Sequence, residues 1–167
     1  MSRPGAPIRP EPAVIEQVRA SCAAVSGRPE RLAEVFYEQL FEMAPAARGM
    51  FPPDMSGQMQ KMTDALLATI AGLGRTDTTE LELMLRRLGA AHRLHHGVEA
   101  DHYLYIGHAL TRAVREVSGA DWSGSLSSSW IAVYQWLAGH MLVGAAEAGT
   151  SGSSRDMPAP PVQAVSA

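Results

Sequence analysis

Four histidines, His92, His95, His96 and His102, fall within one short stretch of the chain. Their imidazoles are the side chains here best suited to holding a metal or moving a proton. His92 stands apart by its register. Leu81, Leu85 and Leu88 recur at spacings of four and three, which marks the inward face of a helix, and His92 continues that face one turn later. The sequence therefore aims an imidazole at an apolar interior. Such a group is either a core histidine satisfied by a hydrogen bond or a ligand to a metal. A third reading places His92 and His96, four apart on one helix face, in a transition-metal site with His95 and His102. No cysteine or carboxylate arrangement accompanies that cluster. His108 and His140 read as ordinary polar positions, although His140 sits in an apolar stretch and needs a buried partner.

The elements that must position His92 are all helical, because almost every segment repeats with a period near 3.6 and no strand alternation appears. A first helix is expected over about 13–25, before the break at Ser26-Gly27-Arg28-Pro29. A second runs to about Met43, with Leu32, Phe36, Leu40 and Met43 on one face. Pro45 opens a short turn that ends near Met50, and Phe51-Pro52-Pro53 forms a corner. Asp54 or Ser56 can cap the next helix, which carries Met55, Met59, Met62, Leu66, Thr69 and Leu73. A capping sequence at Thr76 to Thr79 precedes the His92 helix, and Gly97 closes it. Further helices are expected over about 99–117, with Tyr103, Ile106, Leu110 and Val114 on a face, and over about 125–148. Seven or eight helices of unequal length fit steep packing around a central pocket better than a four-helix bundle. The proline-rich residues 1–12 and the Gly, Ser, Pro and Ala-rich residues 149–167 read as flexible tails flanking one domain over 13–148.

Composition narrows the function. A chain of 167 residues with 46% hydrophobic content can bury one real core. A net charge of −3 gives no electrostatic support for nucleic-acid binding. The lone Cys22 cannot form an internal disulfide, which suits a reducing compartment, and it reads as a small buried residue. No signal peptide or membrane-spanning stretch is evident, so a cytoplasmic location is expected. No Gly-rich phosphate loop, nucleophile elbow or paired carboxylates in a matching context appear, and Cys22 has no adjacent histidine.

Several motifs, in the right order along the chain, carry a family resemblance. Leu88-Gly89-Ala90-Ala91-His92, Gly97-Val98, His102-Tyr103 and Ile106-Gly107 together resemble the proximal segment of globins. Phe36-Tyr37-Glu38-Gln39-Leu40-Phe41, followed by Pro45, resembles their second helix. Phe51 falls where globins place a phenylalanine against the haem. Asp54-Met55-x-x-Gln58-x-x-Lys61-Met62 resembles the start of their distal helix, and Trp130-x-x-x-Tyr134-x-x-Leu137 their last helix. Over roughly residues 13–146 the chain is most similar to single-domain bacterial haemoglobins and the globin domain of flavohaemoglobins.

The resemblance implies an all-α globin fold around haem b, iron protoporphyrin IX, with His92 as the iron ligand. Phe51 would wedge the haem. Tyr37 and Gln58 would face the sixth coordination position, and Met62 would wall it. Leu88, Val98 and Tyr103 would line the proximal side, and His96 or Lys61 would meet a haem propionate. These types suit a site for oxygen, nitric oxide and carbon monoxide. A phenol O–H donates to a ligand that carries partial negative charge, and a hydrogen bond to a charged group contributes about 1.5–3 kcal/mol. The expected function is reversible binding of diatomic gases, with nitric oxide dioxygenation a further activity. No flavin or nicotinamide domain is evident, so turnover would draw on a separate reductase. The expected assembly is a monomer or homodimer.

Two departures matter. In flavohaemoglobins a glutamate on the last helix and a tyrosine hold the proximal histidine. Tyr103 matches the tyrosine, but Ala145 holds the glutamate's place and the nearest acid is Glu147. That counts against peroxidase-like or fast dioxygenase chemistry. One extra residue between His92 and Gly97 resembles vertebrate haemoglobin chains instead. Two other classes stay open: a haem-based gas or redox sensor that changes how its surface meets a partner, and a six-coordinate electron-transfer globin in which the Lys61 amine swings to the iron.

Overall fold

The structure, a computed structural model, describes the backbone of residues 5–153. Among these residues it contains six α-helices and two short 3-10 segments: α1 (Pro12–Gly27), α2 (Pro29–Met43), a 3-10 turn (Pro45–Met50), α3 (Ser56–Leu73), α4 (Thr79–His96), α5 (His102–Ser118), a 3-10 turn (Gly119–Asp121) and α6 (Gly124–Ser153). No strand occurs among the described residues. The prolines mark the boundaries, since Pro12, Pro29 and Pro45 each open a helical segment, where the missing N–H costs nothing.

Helix α2 shows why these segments pack. Leu32, Val35, Phe36 and Leu40 are buried on one side, while Glu34, Glu38 and Glu42 face solvent. Burying each of those large apolar side chains contributes about 1.5–3 kcal/mol relative to exposure. Met43, expected on the same face, is exposed instead, because it lies in the last turn beyond the packed stripe. Trp130 and Trp136 anchor α6 in the core, and the Trp130 indole N–H donates to Ser21 Oγ at 2.9 Å, tying α6 to α1.

The α4 and α6 helices cross at backbone contact. Gly89 and Gly144 make this crossing: a Cβ at Gly89 would collide with the Met141 carbonyl, and one at Gly144 with the Arg86 carbonyl. This brings the His92 helix flat against α6.

Several boundaries differ from the sequence reading. Helix α5 begins at His102 rather than near 99, because Gly97 ends α4 in the left-handed conformation (φ 64°) and residues 98–101 turn the chain. Of the expected N-terminal tail, Pro7, Arg9 and Pro10 meet the body, Pro7 beside Gly139. Pro10 is buried, and the Arg9 guanidinium donates to the carbonyls of Leu73, Arg75 and Thr76 at the end of α3. A cation there meets the negative end of the helix dipole. Helix α6 continues through Ser153, past the boundary expected at 148; residues 1–4 and 154–167 lie outside the described residues. Cys22 is half-buried rather than fully enclosed, and loss of solvent pushes its thiol up to about 11 despite the nearby Arg19. Among the described residues, no helix is long and apolar enough to cross a membrane.

Candidate functional site

A cavity of about 330 Å³ opens between α2, α3, α4, α5 and α6. Its walls are mainly apolar: Phe36, Leu40, Met50, Phe51, Met62, Leu88, Val98, Ile106, Leu137 and Met141. Tyr37, Gln58, Lys61, His92, His102, Tyr103 and Tyr134 supply its polar groups.

His92 reaches the cavity from the last two turns of α4. Its Nδ1 lies 2.8 Å from the Leu88 carbonyl, one turn back. A carbonyl only accepts, so Nδ1 carries the proton and Nε2 keeps its lone pair. The ring is thus fixed in the tautomer that ligates a metal through Nε2.

Helices α2 and α3 supply a polar pair. Gln58, in the first turn of α3, donates from Nε2 to the Tyr37 hydroxyl at 3.2 Å. With its oxygen accepting, the phenol keeps its own proton to give. Burial pushes the Tyr37 ionisation above the usual phenol range, against a smaller opposing effect of the Gln58 bond, so at neutral pH the hydroxyl is a donor. Both side chains are positioned by the corner after α2. Phe51 packs edge-on against Tyr37 and Phe41, at ring separations of 5.5 and 5.6 Å. The Arg48 guanidinium pins that corner by donating to the carbonyls of Phe51, Pro52 and Pro53. At the start of α3, the Asp54 carboxylate accepts from the Ser56 N–H and O–H, so of the two candidate caps Asp54 is the acceptor.

The globin family model matches residues 34–141, which span every element of this cavity. The chain is a globin. Leghemoglobin 49 of Vicia faba is 34% identical over 113 residues, covering 62% of this chain and 77% of that protein. A leghemoglobin of Medicago sativa is 34% identical over 112 residues, covering 62% and 76%. Among solved structures, an engineered carbene transferase derived from a candidate nitric oxide dioxygenase of Rhodothermus marinus superposes with a TM-score of 0.72 at 25% identity, over 90% of this chain and 100% of that one.

Globins bind haem, and the residues of this cavity suit that group. Apolar walls would take the macrocycle, and the His92 imidazole, its Nδ1 against the Leu88 carbonyl, stands among them. Leu88 is apolar yet 38% exposed, on a surface that a flat apolar cofactor would cover. The sequence-expected residues Tyr37, Phe51, Gln58, Lys61, Met62, Leu88, His92, Val98 and Tyr103 all line the cavity. His96 does not. Its ring lies 6.0 Å from that of His92 but is exposed at the end of α4, because Gly97 turns the chain away directly afterwards. His102 lines the cavity in its stead. Among the described residues, no three His, Cys, Asp or Glu side chains converge as a metal site would require, so the alternative cluster of His92, His95, His96 and His102 does not assemble.

The last helix answers the question raised by Ala145. Tyr134, Leu137 and Met141 line the cavity at spacings of three and four, and Ala145 is the next position of that stripe. Ala145 is buried and carries no carboxylate. Glu147 is exposed, two residues on and therefore about 200° round the helix. The Tyr103 hydroxyl is buried without a hydrogen-bond partner, while the Tyr134 hydroxyl donates to the Tyr103 backbone carbonyl. Position 145 thus brings no carboxylate to the stripe, and the Nδ1 of His92 lies against a carbonyl.

Proposed function

We propose that this globin holds haem b through His92 and reversibly binds oxygen and other diatomic gases. The observation that carries the reading is the His92 ring, held through Nδ1 by the Leu88 carbonyl on the wall of an apolar cavity whose α2 and α3 walls present Tyr37 and Gln58. The haem would supply the iron at which a diatomic ligand binds. The protein's own residues do the rest. His92 would hold the metal. Phe51, Met62 and Leu88 would exclude water, and Tyr37 would donate its proton to a ligand bearing partial negative charge. Gln58, donating to the phenol oxygen, would orient that proton and strengthen the bond through polarisation along the chain of donors.

A second reading is conversion of nitric oxide and oxygen to nitrate, NO + O2 + e− → NO3−, with the electron drawn from a separate reductase. The Tyr37–Gln58 donor pair favours it, as does likeness to the Rhodothermus marinus protein; the absent carboxylate at Ala145 counts against a high rate. Mixing the oxygenated protein with nitric oxide in a stopped-flow instrument tests this: slow or absent oxidation to the ferric form defeats it.

The main reading is tested by an absorption spectrum of the reduced protein before and after carbon monoxide, beside His92→Ala. A Soret band that shifts with carbon monoxide, and is lost or disturbed in the variant, is the expected result. A reduced spectrum already six-coordinate without added ligand would instead favour Lys61, which lines the same cavity, as a second axial group. A protein that stays colourless with added haem defeats the proposal.

A further inference from the structure

The cavity must meet two chemical demands if it holds haem, and this inference rests on that reading. The macrocycle is apolar, but its edge carries two carboxylates that need donors. Among the lining side chains, Tyr37 and Gln58 are bonded to each other and His92 is committed to the metal. The remaining nitrogen donors on the wall are Lys61, on α3, and His102, the first residue of α5.

His102 is held in one orientation and one tautomer. The Glu99 backbone N–H donates to its Nδ1 at 2.8 Å, closing the turn that precedes α5 in the manner of a capping box. Because Nδ1 accepts, Nε2 carries hydrogen even in the neutral ring, so His102 is a donor without needing a second proton. It also stands at the N-terminus of a 17-residue helix, where the backbone dipole favours negative charge. The ring is half-buried at the cavity wall, while His96 is exposed and off it.

We infer that His102, through Nε2–H, is the side chain that receives a haem carboxylate, with Lys61 as the flexible second donor, and that His96 has no part in cofactor retention. The capping bond is what makes His102 suited to this, since it spends one ring nitrogen on the turn and aims the other.

Haem loss to excess apomyoglobin tests the assignment without recourse to activity. His102→Asp keeps an acceptor for the Glu99 N–H and replaces the donor by a like charge. Ferric haem is expected to leave that variant about ten- to a hundredfold faster than wild type, from the worth of a hydrogen bond to a charged group. His102→Asn, which caps but reaches less far, should fall between, and His96→Ala should stay within about twofold of wild type. Repeating the measurement with haem dimethyl ester separates contact from folding. With its carboxylates masked, wild type and His102→Asp should lose the ester at matching rates. A variant that loses the ester faster than wild type does, by the same factor as it loses haem, is merely destabilised, and the assignment falls. It also falls if His102→Asp releases haem at the wild-type rate, or if His96→Ala is the variant that releases it fast. A protein that takes up neither haem nor ester overturns the haem reading, and the inference with it.

Discussion

Gln58 donates to Tyr37, and not the reverse: the 3.2 Å bond runs from the amide Nε2 to the phenol oxygen. The direction matters, because it leaves the phenol proton free inside the cavity. Tyr37→Phe is therefore expected to weaken oxygen binding by about one to two decades, mostly by faster dissociation, while carbon monoxide, a poorer acceptor, changes little. Gln58→Leu should weaken oxygen by less. Because Gln58 acts through Tyr37, the double variant should resemble Tyr37→Phe alone. Flash photolysis of the oxygen and carbon monoxide complexes reads all three, and fully additive losses would show two independent donors.

Behind the other wall, His92 Nδ1 lies against the Leu88 carbonyl, and Ala145 brings no carboxylate to the stripe that faces it. Ala145→Glu is expected to put a carboxylate on the cavity stripe of α6; the buried Tyr103 hydroxyl, on the wall of the same cavity, has no hydrogen-bond partner to compete for. A carboxylate near the imidazole raises ligand basicity and strengthens the bond to iron. The ferrous iron–histidine stretch in resonance Raman spectra should move to higher frequency. An unchanged stretch in a folded variant would show that this position does not act on His92.

These two sites show what was legible in the sequence. The stripe Leu81, Leu85, Leu88, His92 was legible from its spacing: Leu85 is buried, and Leu88 and His92 line the cavity. The Tyr37 and Gln58 pair came from resemblance, since neither residue type signals a cavity by itself. His96 looked equivalent to His92 because four residues is one turn; the left-handed Gly97 ends the helix there and brings in His102, a consequence of backbone direction that spacing does not encode. Arg9 was hidden for a similar reason. A proline-rich composition suggests a tail, and only the fold shows three carbonyls at the end of α3 awaiting a cation.

Glycine is equally silent in a hydrophobic pattern, yet Gly89 and Gly144 set the backbone contact between α4 and α6. Gly89→Ala and Gly144→Ala each force a methyl into a carbonyl of the facing helix. Each is expected to cost about 1–3 kcal/mol or more, because backbone rather than a flexible side chain must yield. Gly57→Ala is the contrast. It lies in α3 with open space around the added methyl, and should stabilise the fold slightly, by about 0.5–1 kcal/mol. Thermal unfolding of the three variants checks the ordering, and comparable losses at Gly57 and Gly89 would refute the close-contact account.

His140 completes the set with a pH dependence. The residue is 4% exposed; its ring packs edge-on to Trp136 at 4.8 Å and has no hydrogen-bond partner on either nitrogen. Burial lowers its proton affinity below the ordinary value of 6.5; Glu82, at 4.0 Å from Nε2, opposes that, and Arg86 adds to it. The folded state therefore binds a proton less readily than the unfolded chain. Stability attached to this group is fully present above pH 6.5 and is lost progressively as pH falls from there through the lowered folded value. Substituting an apolar residue removes both the unpaired polar atoms and the titration. His140→Leu should thus be as stable as wild type or more so at pH 7, and its denaturation midpoint should fall less steeply between about pH 6.5 and 5. Urea melts across that range would decide the matter. A variant that is weaker at pH 7 and keeps the wild-type slope would mean that His140 is stabilising and that other groups, such as the carboxylates, set the acid limb.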